Sequence, residues 1–439
     1  MGDTKSISLD AATLNAMHPA DLADLFDEVN DSDHTVILGL LTREQRADLL
    51  VHLDGDERRE VLAERSPDEI ARLMAALDSD DAVDLLGDME EQTQIRVLKA
   101  LEQEDPQEAA EVRSLMDYPP DTAGGLMQAE IASITFNATA GEALTTLRAS
   151  SDDADSMHFV FVTDQQGRFI GVVRIARLAL ANPASPIADI FEPKFVDVQA
   201  NVDQEEVAQL FSKYDIITLA VVDENEQLLG RIMADDIMEV MAAEADEDAF
   251  RMVGSDSEEM LHKRSAARVA MIRLPWLLIN LLGSAATGWM LFRFQGTLAD
   301  KMALISFVPV ITAMAGNVGA QSAMIMIRSY AAGRYDDSAA LTHFSRESVT
   351  GLFIGLPCGL LLGIGATLWH GEPAIGLIVA VSLFAVMTVS AAIGGLAPSL
   401  FRRLGIDPAV AAGPFVTTAN DLIGISIYMG VAVLVLSNL

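Results

Sequence analysis

The chain has 439 residues, is 51% hydrophobic and still carries a formal charge of −35. A field of that sign argues against nucleic acid and anionic membrane surfaces as electrostatic partners and favours cations as counter-ligands. The single cysteine, Cys358, excludes an intramolecular disulfide and a cysteine-based metal site.

The charge is not spread evenly. Residues 261–439 hold 11 Lys+Arg and 7 Asp+Glu (+4), so the remaining 18 and 57 give residues 1–260 a charge of −39. The sequence therefore reads as an acidic soluble half followed by a membrane half. The start, Met1-Gly2-Asp3-Thr4, has neither a basic flank nor an apolar run, so no signal peptide is expected, and nothing supports myristoylation.

Residues 10–117 read as short amphipathic helices: Leu22, Leu25, Phe26 and Val29 recur at helical spacing, as do Ile70, Leu73, Met74 and Leu77. Ser66-Pro67-Asp68-Glu69 is a helix start with Ser66 as N-cap and Pro67 at the first position. Helices recurring every dozen residues or so predict a superhelical stack of helix pairs. The Tyr118-Pro119-Pro120-Asp121-Thr122-Ala123-Gly124-Gly125-Leu126-Met127 segment ends that period.

A different repeat follows. Val162, Asp164, Phe169, Ile170 and Gly171 match Val221, Asp223, Leu228, Leu229 and Gly230 at a constant offset of 59. Each copy reads as helix (141–149, 204–214), strand, polar turn, strand, helix. This resembles a tandem pair of cystathionine-β-synthase (CBS) domains, a module that binds adenine nucleotides or senses ions. The family's nucleotide signature is a Gly, two apolar residues, Ser/Thr, and an Asp two positions on. The first copy, Gly171-Val172-Val173-Arg174-Ile175-Ala176-Arg177, lacks both hydroxyl and acid; the second, Gly230-Arg231-Ile232-Met233-Ala234-Asp235-Asp236, keeps only the acid.

Next comes a helix of good formers with Asp236, Glu239, Glu244, Glu247 and Asp248 on one broad face. Like charges at these spacings repel, so the helix needs a positive partner, and a divalent ion that takes carboxylate oxygens is one candidate. His262-Lys263-Arg264 and Arg268 then form a basic collar. Five apolar runs follow at about 274–292, 302–327, 349–369, 374–400 and 408–436, each long enough to cross a bilayer. Nine Lys/Arg flank one side (residues 263, 264, 268, 273, 328, 334, 346, 402 and 403) and two, Arg293 and Lys301, the other, which places the acidic half in the cytoplasm and the C-terminus outside.

The fifth run carries Asp421 about halfway along. An ionisable group there costs at least about 2.5–3.5 kcal/mol and usually faces a bundle interior or a water-filled path. No basic residue sits inside any run to pair with it. On one continuous helix Asp407 would lie roughly 21 Å away and only about 40° around the axis, with Thr417 one turn from Asp421. Pro309, the Gly316-Asn317-Val318-Gly319-Ala320-Gln321 segment and Gly413-Pro414 read as helix breaks. The two prolines are expected to leave the Ile305 and Val410 carbonyls without helical donors, and such breaks mark a lined cavity.

From end to end these features resemble the MgtE family of bacterial magnesium channels, related to the solute carrier family 41 transporters. The most specific motifs are Gly316-Asn317-Val318-Gly319-Ala320-Gln321-Ser322-Ala323 and Asp407-Pro408-Ala409 with Asp421. The resemblance implies a multidomain membrane protein: an all-α cytoplasmic N domain (1–127), an α/β CBS pair (128–190, 191–241), a connecting plug helix and linker (242–268), and a five-helix all-α transmembrane domain (269–439). It implies a homodimer in the lipid of a bacterial cytoplasmic membrane, with no nucleic acid partner. The pore is lined by Pro309, Asn317, Gln321, Pro414 and Asn420, and hydrated Mg²⁺ is held by Asp421 and the Thr417 carbonyl. Regulatory Mg²⁺ falls to Asp80, Asp203, Glu205, Asp215, Asp236, Glu239, Glu244, Glu247, Asp248 and Asp407. High cytoplasmic Mg²⁺ would bridge these acids and close the pore; at low Mg²⁺ their repulsion would open it.

Two departures stand out. Ala320 replaces a second Asn of the family motif near the filter, and the degraded CBS signatures leave ATP unsupported as a ligand. A divalent-cation carrier or Na⁺-coupled exchanger is the alternative. A hydrolase is disfavoured by seven scattered histidines and the lack of nucleophile or His-Glu-x-x-His patterns. A non-transporting sensor would leave Asp421 without a role.

Overall fold

The computed structural model describes residues 11–149, 158–194, 196–253, 255, 266–331 and 340–438. The sequence readings at residues 1–4, at the collar residues His262, Lys263 and Arg264, and at Arg334 lie outside the described residues. Two compact units emerge, Met1–Met241 and Ala242–Leu439.

The first unit begins with short helices: α1 (Ala11–Leu14), α2 (Pro19–Glu28), α3 (Asp31–Leu40), α4 (Arg43–His52) and α5 (Gly55–Ala63). They continue as α6 (Pro67–Met74), α7 (Ser79–Gly87), α8 (Glu91–Glu104) and α9 (Pro106–Leu115). Alternate members stack, α2 on α4, α4 on α6 and α6 on α8, because each helix has one apolar stripe and no helix this short is stable alone. Leu22, Phe26, Ile70 and Met74 are fully buried in the shared core. The start of α6 is a reciprocal capping box: Ser66 Oγ accepts the Glu69 N–H at 3.3 Å, and Glu69 Oε2 accepts the Ser66 N–H at 3.0 Å. Ser66→Ala should lower the stability of this helical stack by about 1 kcal/mol, read as faster amide exchange in α6; unchanged exchange would deny the cap its role.

The 59-residue repeat folds as two small sheets. In the first, β1 (Ser133–Thr135) pairs parallel with β2 (Phe159–Thr163), which pairs antiparallel with β3 (Phe169–Arg174) and through it β4 (Glu192–Pro193). Helices α10 (Ala140–Ala149) and α11 (Ile175–Leu180) flank it. The second has β5 (Val198–Gln199), α12 (Gln204–Tyr214), β6 (Thr218–Val222) and β7 (Leu228–Met233) in the same pairing order. The short parallel strands β1 and β5 were not legible in the alternation pattern. The two turns meet through backbone bonds from Phe169 N–H to Glu226 O (2.9 Å) and from Leu228 N–H to Gly167 O (3.4 Å), so the copies face each other. Helix α13 (Ala234–Met252) follows β7.

The second unit holds α14 (Ala266–Arg293), α15 (Gln295–Asp300), α16 (Val308–Ala331), α17 (Ala340–His370), α18 (Pro373–Arg403), α19 (Pro408–Val410) and α20 (Val416–Leu436). Five stretches are long and apolar enough to cross a bilayer: Ala266–Arg293, Met302–Tyr330, Thr342–His370, Pro373–Arg403 and Gly413–Leu436. Helix α18 is the most buried and contacts α16, α17 and α20. A glycine row on α17 (Gly351, Gly355, Gly359, Gly363) lets its backbone lie on α18; a Cβ at Gly359 would sit 2.6 Å from the Ala380 carbonyl. Close backbone approach over small residues is how helices associate where lipid supplies no hydrophobic drive.

The structure corrects two sequence expectations. Pro309 is the second residue of α16, preceded by a 3₁₀ turn (Met302–Phe307), and the Ile305 carbonyl accepts the Val308 N–H. No donor is lost, because the tighter i→i+3 geometry supplies one. The Gly316–Gln321 motif lies inside an unbroken α16. Its glycines serve packing, with Gly319 against the Asn420 side chain and against Gly394 of α18.

Candidate functional site

In the second unit the chain approaching α20 is not one helix. Gly413 has φ −81° and ψ −117°, a non-helical value, inside an Ala411–Phe415 segment that also holds Pro414. Asp407 therefore lies on a separate piece of chain from Asp421, and their shared-face alignment does not hold. Asp421 is the sixth residue of α20, nearer its start than its middle. Thr417 sits one turn earlier, its hydroxyl donating to the Gly413 carbonyl at 3.1 Å. That bond stitches the helix start to the break.

Neighbouring side chains of α20 are taken up by packing. Thr418 lies against Gly283 of α14 and donates to Asn280 Oδ1 at 3.4 Å. Thr417 faces Gly316 of α16, and Gly424 faces Ala315 and Val386. Asn420 is fully buried against Gly319, and among the described residues neither amide atom has a hydrogen-bond partner. It stands in the α16–α20 interface, where Gly319 offers no Cβ and the amide fills that space. Pro414 is likewise buried at the break, whereas Pro309, Asn317 and Gln321 lie exposed along one side of α16 at intervals of four and eight residues. Asp421 is half-buried, and among the described residues no hydrogen bond or ion pair engages its carboxylate.

The end of α13, from Ala242 onward, belongs to this unit. Met252 packs with Ala323, Ile327, Ala409 and Val416, and its carbonyl is 2.7 Å from the Cβ that Gly413 lacks. Arg251 pairs with both Glu247 and Asp407, and Asp407 Oδ1 also accepts the Ala409 N–H at 2.7 Å. The positive partner that the acidic helix needed is thus supplied by Arg251, four residues after Glu247 on its own surface. Asp248 remains under strain: burial, Asp407 and Glu244 push its carboxyl up to about 6.

In the first unit a second acidic cluster joins α7 to the start of α13. Asp80 is 9% exposed with Oδ1 unpaired, and burial followed by Asp236 and Asp81 pushes it well above the usual carboxylate range. Burial and neighbouring acids raise Asp81 to about 7 and Asp236 to about 7, with Glu239 acting on both. Asp84 is raised by burial as well. The structure thus brings together Asp80, Asp236 and Glu239 from the sequence reading and adds Asp81 and Asp84. A further group that the reading missed is Glu108, Glu111 and Glu130, whose carboxylate oxygens lie within 4.8 Å of one another. Glu108 is pushed up to about 8 by burial and then Glu130, while Ser79 donates N–H and O–H to Glu130. These acids look like surface in a sequence because the facing acids come from distant segments.

Carboxyls raised to about 7 hold protons that the separated chain releases near 3.8, so their cost to docking is present above pH 7 and relieved as pH falls toward 3.8. Without divalent cations, amide protection factors in α7 and α13 should therefore rise between pH 8 and pH 6. Protection that stays flat or falls would contradict the repulsive cluster.

Asp203, Glu205 and Asp215 are not drawn into either cluster. Asp203 caps α12 by accepting the Glu205 N–H at 2.8 Å, and Glu205 is exposed. Asp215 ends α12 at φ 50°, the left-handed region, and borders a cavity of about 230 Å³ between the two sheet repeats. Aromatic Phe159, Phe161 and Phe169 and cationic Arg174 and Lys194 share that cavity. Both cations are already engaged, Arg174 with Glu192 at 3.2 Å and Lys194 with Glu226 at 3.1 Å, so a nucleotide phosphate would have to displace carboxylates.

Residues 308–431 match the family model described as MgtE, divalent cation transporter; residues 17–121 match the MgtE intracellular N domain, and 123–182 and 187–243 match CBS domains. The chain is 36% identical over 436 residues to the magnesium transporter MgtE of Thermus thermophilus, covering 99% of this chain and 96% of that one. It is 32% identical over 325 residues to the magnesium transporter MgtE of Bacillus subtilis, covering 74% and 72%. A crystal structure of the cytosolic domain of the Mg²⁺ channel MgtE in complex with ATP is 35% identical, with a TM-score of 0.49 over 52% of this chain and 93% of that one. With identity at this level across nearly its whole length, the chain belongs to the MgtE family.

Proposed function

We propose that the protein is a homodimeric Mg²⁺ channel of a bacterial cytoplasmic membrane, with its acidic half in the cytoplasm and its C-terminus outside. The observation that carries this reading is Asp421: a carboxylate on an apolar helix, half-buried, with no ion pair or hydrogen bond among the described residues. Mg²⁺ gives up water reluctantly and is held largely hydrated. An unpaired carboxylate from each protomer, with Thr417 one turn away and the exposed Asn317 and Gln321 amides of α16, offers oxygens to such a hydrated ion without stripping it.

Closure follows from the two clusters on α13. Asp80, Asp81, Asp84, Asp236 and Glu239 repel one another, as do Glu244, Asp248 and Asp407 around Arg251. A divalent ion in either cluster stabilises the docked arrangement by binding it better than the separated one, which is the differential affinity that shifts a population. Asp203, Glu205 and Asp215 remain candidates for cation contacts with the second subunit. ATP in the cavity between the sheet repeats would need Arg174 and Lys194 to leave their carboxylates.

A carrier or Na⁺-coupled exchanger is the competing reading. With purified protein in liposomes, Mg²⁺ uptake should persist when the Na⁺ gradient is removed and should not saturate in the millimolar range. Uptake that stops with the gradient would replace the channel by an exchanger.

A further inference from the structure

A cavity of about 410 Å³ opens between the facing ends of α16 and α17. Its polar lining is Ser322 and Ser329 from α16 and His343, Arg346, Glu347 and Thr350 from α17. None of these belongs to the ion path or to the acidic clusters. The apolar stretch of α16 ends at Tyr330 and that of α17 begins at Thr342, so the two ends lie on one side of the bilayer. Ser329, His343 and Arg346 therefore fall in the end turns, at headgroup depth. Further along α17, Val349 is 51% exposed and Phe353 71%, apolar surface suited to an acyl chain.

The chemistry of the lining is specific. Glu347 is held in place: its Oε2 accepts the Ser322 hydroxyl at 2.7 Å, Ser322 is 4% exposed, and a Cβ on Gly395 of α18 would press on Glu347 Cγ. The hydroxyls of Ser329 and Thr350 donate to their own helix, to the Ile325 carbonyl at 2.7 Å and the Arg346 carbonyl at 3.0 Å, and so present lone pairs to the cavity. The cavity thus offers the Arg346 guanidinium and the His343 ring beside a fixed carboxylate and two hydroxyl acceptors. A simple anion would meet Glu347, and a simple cation would meet Arg346. A zwitterion with a phosphate and a primary ammonium two carbons apart satisfies both, with the phosphate on the Arg346 fork and the N–H donors shared among Glu347, Ser329 and Thr350.

We propose that this cavity is a binding site for the headgroup of phosphatidylethanolamine. The inference rests on the bilayer placement of α16 and α17 and is independent of which ion the protein moves. Choline, whose nitrogen carries no hydrogen, cannot serve the acceptors, and phosphatidylglycerol brings no charge for Glu347.

The test is native mass spectrometry of the full chain in detergent, titrated with phosphatidylethanolamine, its N,N-dimethyl form, phosphatidylcholine and phosphatidylglycerol of matched acyl chains. Affinity should fall with each methylation, by about tenfold from ethanolamine to choline. Glu347→Gln should bring that ratio close to one, while Arg346→Ala should weaken all four lipids. Equal binding of ethanolamine and choline lipids by the unaltered chain, tighter binding of the glycerol lipid, or an unchanged ratio in Glu347→Gln would each overturn the proposal. The methylation series needs no variant, so it stands even where a substitution prevents folding.

Discussion

Asp421→Ala is expected to reduce Mg²⁺ uptake by at least about a hundredfold. In a dimer it removes two carboxylates from one path, and charge-assisted hydrogen bonds are each worth roughly 1.5–3 kcal/mol. The α20 backbone should be unaffected, because among the described residues the Asp421 carboxylate makes no hydrogen bond or ion pair that would be lost. The neighbouring Asn420→Leu supplies the contrast. Its amide is buried, unpaired and pressed against Gly319, and replacing an unsatisfied polar group by an apolar one of similar shape is close to neutral or stabilising. Uptake should survive in Asn420→Leu and vanish in Asp421→Ala. Undiminished flux in Asp421→Ala would remove the proposed ion site.

The second large effect is structural. A Cβ on Gly394 would fall against the Gly319 carbonyl, with the Gly319 carbonyl carbon at 2.8 Å and Cα at 2.9 Å. These are backbone atoms in the middle of helices α16 and α18, so no rotamer change relieves the clash. Gly394→Val should therefore force the two helices apart and cost about 3 kcal/mol or more, seen as a lower thermal midpoint in detergent. It should also disturb ion flux, since Gly319 shares α16 with Asn317 and Gln321. Gly288 of α14 has nothing within 4 Å, so Gly288→Val should leave the midpoint unchanged. An equal response at both glycines would mean that the α16–α18 contact does not limit stability.

Much of the fold was legible because it is written in local spacing. The 59-residue offset reappears in the strands, β2 and β6 beginning at Phe159 and Thr218 and β3 and β7 at Phe169 and Leu228. Ser66 caps α6 through its own side chain and that of Glu69, an interaction within four residues. Legibility declined where the outcome depended on distant partners. Proline at 309 suggested a lost donor, yet the chain before it tightens into a 3₁₀ turn that supplies one. The glycines at 316 and 319 looked like breaks, but the facing helices require small residues at those points and the helix continues. The break read at Gly413-Pro414 is present; what no local pattern reveals is that Met252 of α13 packs beside it.

The acidic residues show the same division. Their abundance and the helical face on α13 were plain in the sequence, but not which of them meet. Asp80 and Asp236 are 156 positions apart, yet Asp236 helps to raise the Asp80 carboxyl. Arg251 and Asp407 are also 156 apart and form an ion pair. That pair alters the electrostatics of the connecting helix, since part of its negative charge is balanced by protein and only the remainder is left for an ion.

One molecule is thus proposed to be both a Mg²⁺ path and its own Mg²⁺ sensor. The most direct measurement is Mg²⁺ uptake into liposomes containing the purified full-length protein, with low and then high Mg²⁺ on the face bearing the acidic half. Fast uptake at low Mg²⁺ that high Mg²⁺ on that face suppresses is the predicted result. Uptake indifferent to Mg²⁺ on that face would leave a transporter and contradict a sensing role for the acidic clusters on α13.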